Sequence, residues 1–297
     1  MSDASSNNLY GRLSTLSAES VLRDGSTVLQ NVYFTAPLKL LPPHALRESG
    51  GVLATQLNVS AGTMAGDRQN IQLRIGAGTK IIWTSQSYEK LHRMEPGAWA
   101  ERTVTVAVDS AALLYYRPLP IIPFADSDFR GCTRINLADE SARLVYADIF
   151  CGGRVARGEL FAFRRYRQLL EIRLGGRLFY RDNTDLRPDT ALFGTASGGG
   201  LSGIGFFEGH THTASLILCN TGCNLSLVRE WLEAEVPSGT VAAATVLNSN
   251  PVRDSLSIRN SGTPENALLV RALGDSAQGL ETLLGRLVNR ITGCGNF

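Results

Sequence analysis

Lysine and histidine are scarce in this chain of 297 residues: lysine occurs only at Lys39, Lys80 and Lys90, and there are four histidines. The other basic residues are arginines, whose forked guanidinium suits carboxylate partners in protein interfaces, although coding bias alone would also produce this skew. The formal net charge is only +2. So small an excess gives no reason to expect nucleic acid or an acidic membrane surface as a partner.

Long apolar runs are missing as well. No stretch approaches the roughly 20 apolar residues that a membrane-spanning helix needs, and the polar start of the chain lacks the apolar centre of a secretory signal. The five cysteines are odd in number and unevenly spaced, which favours free thiols in a reducing compartment over a disulfide framework. These absences predict a cytoplasmic protein. The sequence also lacks a Walker A motif, so we do not expect this chain to hydrolyse nucleotides.

Short strand patterns fill most of the chain. Alternating or brief apolar runs separated by turn residues recur about every ten residues, which is typical of an all-β sheet stack, sandwich or solenoid. The predicted strands are 9–41 (broken by an Asp24-Gly25 hairpin turn), 52–59, 71–75, 81–84, 103–108, 112–116, 134–137, 143–150, 159–163, 169–174, 178–181, 204–207, 241–247 and 255–259. Residues 1–8 are predicted to be a disordered tail, and residues 9–297 a single domain.

Helices are expected only in the last third. One short amphipathic helix is predicted around Leu225 and Leu232, before Pro237. Thr263 and Pro264 predict the start of a second helical segment. In its second half Leu280, Leu283, Leu284, Leu287, Val288 and Ile291 form one apolar stripe, while three glycines leave open whether the segment is one helix or two. The stripe could pack on the chain's own strands or in a groove of a partner.

Several sequence blocks resemble one known family. VYFTAPLKLL at 32–41, AGD at 65–67, TSQSYEKLHRM at 84–94, IPFADSDFR at 122–130 and ARGELFAF at 156–163 occur in the order found in the UreD/UreH urease accessory proteins. The likeness covers residues 24–181 and weakens towards the end. It implies a β-helix-like stack of short strands with a few helices.

The resemblance also implies a function, which is that of a non-enzymatic urease maturation factor. Such a protein would bind UreF-like and UreG-like accessory proteins and apo-urease, and would hold no tight cofactor. Ni²⁺ would pass only transiently, through a route lined by oxygen ligands, because thiolate or imidazole ligands would trap the ion. The candidates for this route are Asp67, Ser85, Ser87, Asp126, Asp148 and Glu159. The candidates for contact with the UreF-like protein are Leu284 and Leu287.

Two other interpretations stay open at this point. His210, His212, Cys219 and Cys223 could ligate a metal and serve a metal-dependent enzyme, although buried inert cysteines explain them as well. The dense arginines between 154 and 177 could bind RNA or form local ion pairs. The glycines of 198–203 match GxGxxG, but the strand and helix that this motif needs are not predicted around them, which favours a plain glycine loop.

Overall fold

The computed structural model describes residues 13–188, 200–247 and 267–292. The strands are β1 (Leu13–Arg23), β2 (Ser26–Phe34), β3 (Leu38–Leu40), β4 (His44–Leu46), β5 (Gly51–Asn58), β6 (Arg68–Ile75), β7 (Lys80–Ser85), β8 (Glu89–Leu91), β9 (Ala100–Val108), β10 (Leu113–Arg117), β11 (Ile121–Pro123), β12 (Asp128–Leu137), β13 (Arg143–Cys151), β14 (Arg165–Leu174), β15 (Arg177–Leu186), β16 (His212–Cys219), β17 (Val241–Val246) and β18 (Ala267–Gly274). The helices are α1 (Leu225–Glu235) and α2 (Ala277–Thr292), and a 3-10 turn covers Val155–Arg157.

The strands lie in two sheets between which the chain alternates. The seven-stranded sheet has the order β15-β14-β12-β9-β6-β1-β2. The larger sheet has the order β17-β18-β16-β13-β10-β7-β5-β3, with β4 paired to β5 and the short β8 and β11 attached beside β13. From β5 to β12 each long strand pairs in parallel with the strand one coil later. The fold is therefore the β-helix-like stack that the resemblance implied.

Tight turns between the sheets keep successive coils in register. Between β6 and β7 the turn contains Gly76 and Gly78, and the amide of Gly78 donates to the carbonyl of Ser110 in the equivalent turn of the next coil at 3.0 Å. A Cβ on residue 76 would lie 2.2 Å from the carbonyl oxygen of Ser20, so this position requires glycine. The predicted Asp24-Gly25 hairpin is confirmed, with φ of 49° and 74° as its turn type needs.

The interior between the sheets is apolar at one end of the strands. Ile75, Val108, Leu137 and Leu174 lie directly opposite one another across the seven-stranded sheet, and Trp83, Tyr116 and Tyr146 do so across the larger sheet. All of these side chains are buried. A second core lies on the outer face of the larger sheet, where both helices cover residues such as Val145, Leu216 and Leu268. No helix in the described parts of the chain is long and apolar enough to cross a membrane.

Three predicted elements are wrong. Residues 159–163 form no strand, because Phe161 has a φ of 52° and its amide donates to Gly152 within a loop. Residues 204–207 form turns. The helix predicted from Thr263 is strand β18 from Ala267 onward, because its alternating apolar residues pair with β16 and β17. Only its second half is helical, as the single helix α2. Residues 1–8, Thr263, Pro264 and the strand predicted at 255–259 lie outside the described residues.

Candidate functional site

Two polar cavities lie between the sheets and meet at Asp148. The first has a volume of about 70 Å³ and the second about 60 Å³. Asp148, Phe150, Tyr166 and Gln168 line both. A smaller outer cavity of about 20 Å³, beside Glu281 of α2, also touches Asp148. One carboxylate is thus common to all three spaces.

The strand period explains why Asp148 points between the sheets. Along β13 the alternate residues Leu144, Tyr146, Asp148 and Phe150 share the inner face, since side chains of a strand repeat every two residues. In the antiparallel pairings Asp148 lies opposite Ser215 of β16, and Ser215 lies opposite Arg271 of β18. The apolar inner face of the sheet therefore changes into a polar row at this level.

Neutral groups hold the Asp148 carboxylate. The Tyr146 hydroxyl donates to Oδ2 at 3.1 Å, and the Ser215 side chain also hydrogen-bonds to it. Burial raises the pKa of Asp148 from its ordinary value of 3.8 to about 6, and the nearby Asp182 adds to the rise, while the two hydrogen bonds and the Arg271 charge oppose it. The Asp148 side chain is partly exposed, and it lines both cavities. Asp148 is therefore an enclosed acid whose pKa is raised by its burial.

A carboxylate–arginine pair lines the first cavity. Arg102 Nη2 is 2.9 Å from Glu89 Oε2, and the two side chains are only 16% and 14% exposed. Arg102 also donates from Nε to Gln69 Oε1 at 2.7 Å and lies over the ring of Phe129, 5.5 Å from its centroid. The Thr63 hydroxyl donates to Glu89 Oε1 at 2.5 Å. Both members of this pair are thus held by several contacts.

A second carboxylate–arginine pair lines the second cavity. Arg271 Nη2 donates to Asp182 Oδ2, and the Tyr180 hydroxyl donates to the same oxygen at 3.2 Å. Arg271 is 51% exposed and Asp182 is 25% exposed. The pair is therefore nearer to solvent than the Glu89–Arg102 pair.

Gly131 makes room for the polar side chains between the sheets. It lies on β12, paired in register with Arg102 on one side and Gln168 on the other. A Cβ at residue 131 would be 1.8 Å from Gln168 Oε1, so any side chain there would expel the amide from its place. Gln168 Nε2 donates to the Thr133 hydroxyl at 3.1 Å. The amide thus forms part of the cavity wall only because residue 131 has no side chain.

Comparison with known proteins gives the family. A sequence profile described as UreD urease accessory protein matches residues 13–295. The chain belongs to the UreD family. It is 33% identical over 283 residues to the urease accessory protein UreD of Acetivibrio thermocellus, covering 95% of this chain and 98% of that protein. It is 38% identical over 228 residues to the urease accessory protein UreH of Helicobacter pylori strain G27, covering 74% and 82% of the two chains. Membership confirms the predicted resemblance and supports a role in urease maturation.

Of the six predicted route residues of this UreD family member, the structure brings Ser85 and Asp148 to the first cavity. The Ser85 hydroxyl accepts from the amide of Leu119 at 2.8 Å. The other four line none of the three cavities described above. Asp67 accepts from the amide of Met64 at 2.8 Å in the turn before β6, and Ser87 is exposed in a bend.

The remaining two candidates, Asp126 and Glu159, lie in ion pairs near the surface. Asp126 Oδ2 is 3.1 Å from Arg93 Nε and is 48% exposed. Glu159 pairs with Arg154 through both of its oxygens, with Nε to Oε2 at 2.7 Å. This hydrogen-bonded arginine lowers the pKa of Glu159.

The apolar stripe of α2 packs on the chain's own sheet. Leu284 is 3% exposed and Leu287 is 0% exposed, within the core that covers the outer face of β13, β16 and β18. The alternative in which the stripe packs on the chain's own strands is the one found. Neither leucine is therefore on the surface of this chain where a UreF-like protein could contact it.

The predicted grouping of His210, His212, Cys219 and Cys223 does not form. His212 is the first and Cys219 the last residue of β16, and seven residues of extended strand span about 23 Å. Cys219 is buried between the sheets, whereas Cys223 is buried under the helices on the other face. His210 pairs with Asp275 instead, Nδ1 to Oδ2 at 3.3 Å. In residues 13–188, 200–247 and 267–292, no set of three or more His, Cys, Asp or Glu side chains is arranged to hold a metal ion.

The dense arginines and the glycine motif both form ordinary structural features. Several arginines of the dense set form local ion pairs, among them Arg154 with Glu159 and Arg165 with Asp185, as one of the two interpretations expected. In the glycine motif, residues 200–209 form turns and bends and no helix follows in this described stretch. The dinucleotide interpretation therefore lacks its structural context.

The residues that surround Asp148 are not marked by any motif in the sequence. Glu89, Arg102, Gln168, Asp182 and Arg271 come from five different strands, and each looks like an ordinary exposed position in its own segment. One signal is present in the local sequence, namely the alternation of side chains between the two faces of β16. Ser215 has the inner-face parity of Ile217 and Cys219, so a polar residue interrupts a buried row at that point.

Proposed function

We propose that this UreD family member is a non-enzymatic maturation factor that passes Ni²⁺ through the polar cavities at Asp148 on its way to apo-urease. The observation that carries the proposal is the position of this carboxylate, which lines every one of the three cavities described above. In this scheme Ni²⁺ is cargo, and no cofactor is bound tightly. The family to which the chain belongs supports the link to urease.

The lining suits transient passage of a cation. The first cavity offers carboxylate, amide and hydroxyl oxygens from Asp148, Gln168 and Ser85. Oxygen ligands bind Ni²⁺ less tightly than thiolate or imidazole ligands do. The volumes of about 70 and 60 Å³ admit water as well, since about 10–15 Å³ of such space holds one water molecule. A hydrated ion could therefore exchange its water for side-chain oxygens and release them again.

The partners proposed for this step are a UreF-like protein, a UreG-like GTPase and apo-urease, acting in the cytoplasm. The position of α2 supports a contact elsewhere than its apolar stripe, because that stripe is already covered. Co-expression of the chain with the other accessory proteins, followed by affinity purification, tests the set of partners. Recovery of the chain alone under conditions that assemble active urease would contradict it.

The route itself is tested by Asp148→Asn, which keeps the shape of the side chain and removes its charge. Urease activation is measured in cells at limiting nickel with the variant, the wild type and the control Asp109→Asn. Asp109 serves as the control because its carboxylate lies in a turn and pairs with Arg74. We expect activation to fall for Asp148→Asn alone, with the chain still present at wild-type level. Full activation by Asp148→Asn at limiting nickel would overturn the route through Asp148.

A further inference from the structure

The polar region between the sheets contains two kinds of carboxylate. Asp148 is held by uncharged donors from Tyr146 and Ser215. Glu89 and Asp182, in contrast, each form an ion pair with an arginine. A metal ion that bound either carboxylate would therefore have to compete with the arginine that is paired with it.

The two arginines differ in how they are held. Arg102 is 16% exposed and fixed by three partners: Glu89, Gln69 and the ring of Phe129. Arg271 is 51% exposed, and its side chain contacts Tyr180 and Asp182, which both lie on β15. A long flexible side chain at a half-exposed position can turn into water, whereas one locked on several sides cannot. Arg271 is therefore the movable one of the two.

A cavity carboxylate without a counter-ion would be costly in either state of the protein. Empty, it would carry an unpaired charge in a poorly hydrated space. Loaded, it would hold a divalent ion firmly, especially beside a second acid, and Asp148 and Asp182 are close enough for Asp182 to raise the pKa of Asp148. A tethered positive charge offsets both effects, because it satisfies the carboxylate when no ion is present and competes with the ion when one arrives.

We propose that Arg271 is a movable counter-ion of the second cavity, resting on Asp182 when no metal is bound and displaced into solvent by a divalent cation. Arg102 is the fixed counterpart that keeps Glu89 neutralised in the first cavity. The proposal rests on the proposed function and adds the mechanism by which the metal ion is released from the route instead of staying bound. Its cargo is a divalent cation that prefers oxygen and nitrogen ligands.

Removal of the charge is the direct test. An opposite charge within about 4–6 Å changes the proton affinity of a carboxylate by 1–3 pKa units. By the same reasoning, Arg271→Gln should bind Ni²⁺ at least about tenfold more tightly than the wild type. Equilibrium dialysis of the purified full chain against nickel chloride at neutral pH measures this affinity without any urease.

Three further variants make the result specific. Arg134→Gln is the matched control, since Arg134 is 47% exposed and pairs with Glu171 in the seven-stranded sheet, away from the cavities. Its affinity should equal that of the wild type. Arg271→Lys keeps the charge and should stay near the wild type. The double variant Asp182→Asn/Arg271→Gln removes the proposed ligand and should lose the added affinity.

The outcomes separate this proposal from the function on which it rests. Equal affinity of Arg271→Gln and Arg134→Gln would overturn the counter-ion role, and so would tight binding that persists in the double variant. Those results leave the activation test at Asp148 untouched, because dialysis reports binding and the other assay reports delivery. Conversely, full activation by Asp148→Asn would overturn the route even if Arg271→Gln bound Ni²⁺ more tightly. Circular dichroism of each variant confirms that the fold is intact.

Discussion

The two faces of strand β13 show how one strand serves two purposes. On the outer face, Val145 lies in the apolar core under the helices. On the inner face, Tyr146 and Asp148 border water-sized cavities between the sheets. Neighbouring residues along the same strand thus face a dry core and a polar space. We therefore expect the outer face to contribute stability, while the inner face holds the polar groups of the proposed route.

The dry face is tested by Leu287→Asp. Leu287 is fully buried against the larger sheet, so the substitution removes an apolar side chain and places a carboxylate in the core. Truncating a buried leucine costs about 2–5 kcal/mol, and an unpaired charge adds to that cost. We expect the free energy of unfolding to fall by about 4 kcal/mol or more, measured by urea denaturation.

The control lies on the opposite side of the same helix. Thr282 is exposed, so Thr282→Asp adds the same charge to α2 without touching the core. Its melting temperature should stay near that of the wild type. If Leu287→Asp kept its stability but lost an accessory partner, the leucine would face that partner after all and the packing described here would be contradicted.

The polar face is tested by the stability of Asp148→Asn as a function of pH. Because burial raises the pKa of Asp148 from 3.8 to about 6, the unfolded chain ionises first as the pH rises. The cost of the buried charge is therefore fully present above about pH 6 and is lost as the pH falls towards the unfolded value. It amounts to about 3 kcal/mol, at 1.36 kcal/mol for each pKa unit.

Asparagine removes this cost, so the variant should be more stable than the wild type at neutral pH by up to about 3 kcal/mol, and equal to it near about pH 4. Chemical denaturation at both pH values measures the difference. A gain that did not change with pH would show that Asp148 does not titrate in this range. Together with lower urease activation, the gain would identify a residue kept for function at the expense of stability.

The sequence predicts the fold better than the site, for a physical reason. Period-two alternation and turns such as Asp24-Gly25 are local, so most strands could be placed from neighbouring residues alone. Pairing between distant strands overrides local signals, and it turned the segment after Thr263 into β18 where a helix was predicted. The site depends on such pairing entirely. Asp182 and Arg271 are 89 residues apart in the chain and meet only because β15 and β18 face each other across the interior.

The smallest effect on stability is expected at Glu159, which contrasts with Asp148 in every respect. Glu159 lies in a loop, pairs with Arg154 and lines none of the three cavities described above, whereas Asp148 is enclosed and held by uncharged donors. Its pKa is lowered by the hydrogen-bonded arginine, so it stays ionised at neutral pH. The melting temperature of Glu159→Gln should fall only slightly, because partly exposed ion pairs contribute up to about 1 kcal/mol.

Activation of urease at limiting nickel decides what Glu159 does. We expect Glu159→Gln to lower activation, but by less than Asp148→Asn, because Arg154 already neutralises the carboxylate and the cavities do not reach it. Arg154→Gln is the matched control, since it breaks the same ion pair and leaves the acid in place. If Glu159→Gln impaired activation as strongly as Asp148→Asn while Arg154→Gln did not, the acid itself would handle the ion. The route would then have to extend from the inner face of β13 to the loop at 154–161, and the contrast between the enclosed and the paired carboxylate would no longer mark where the ion passes.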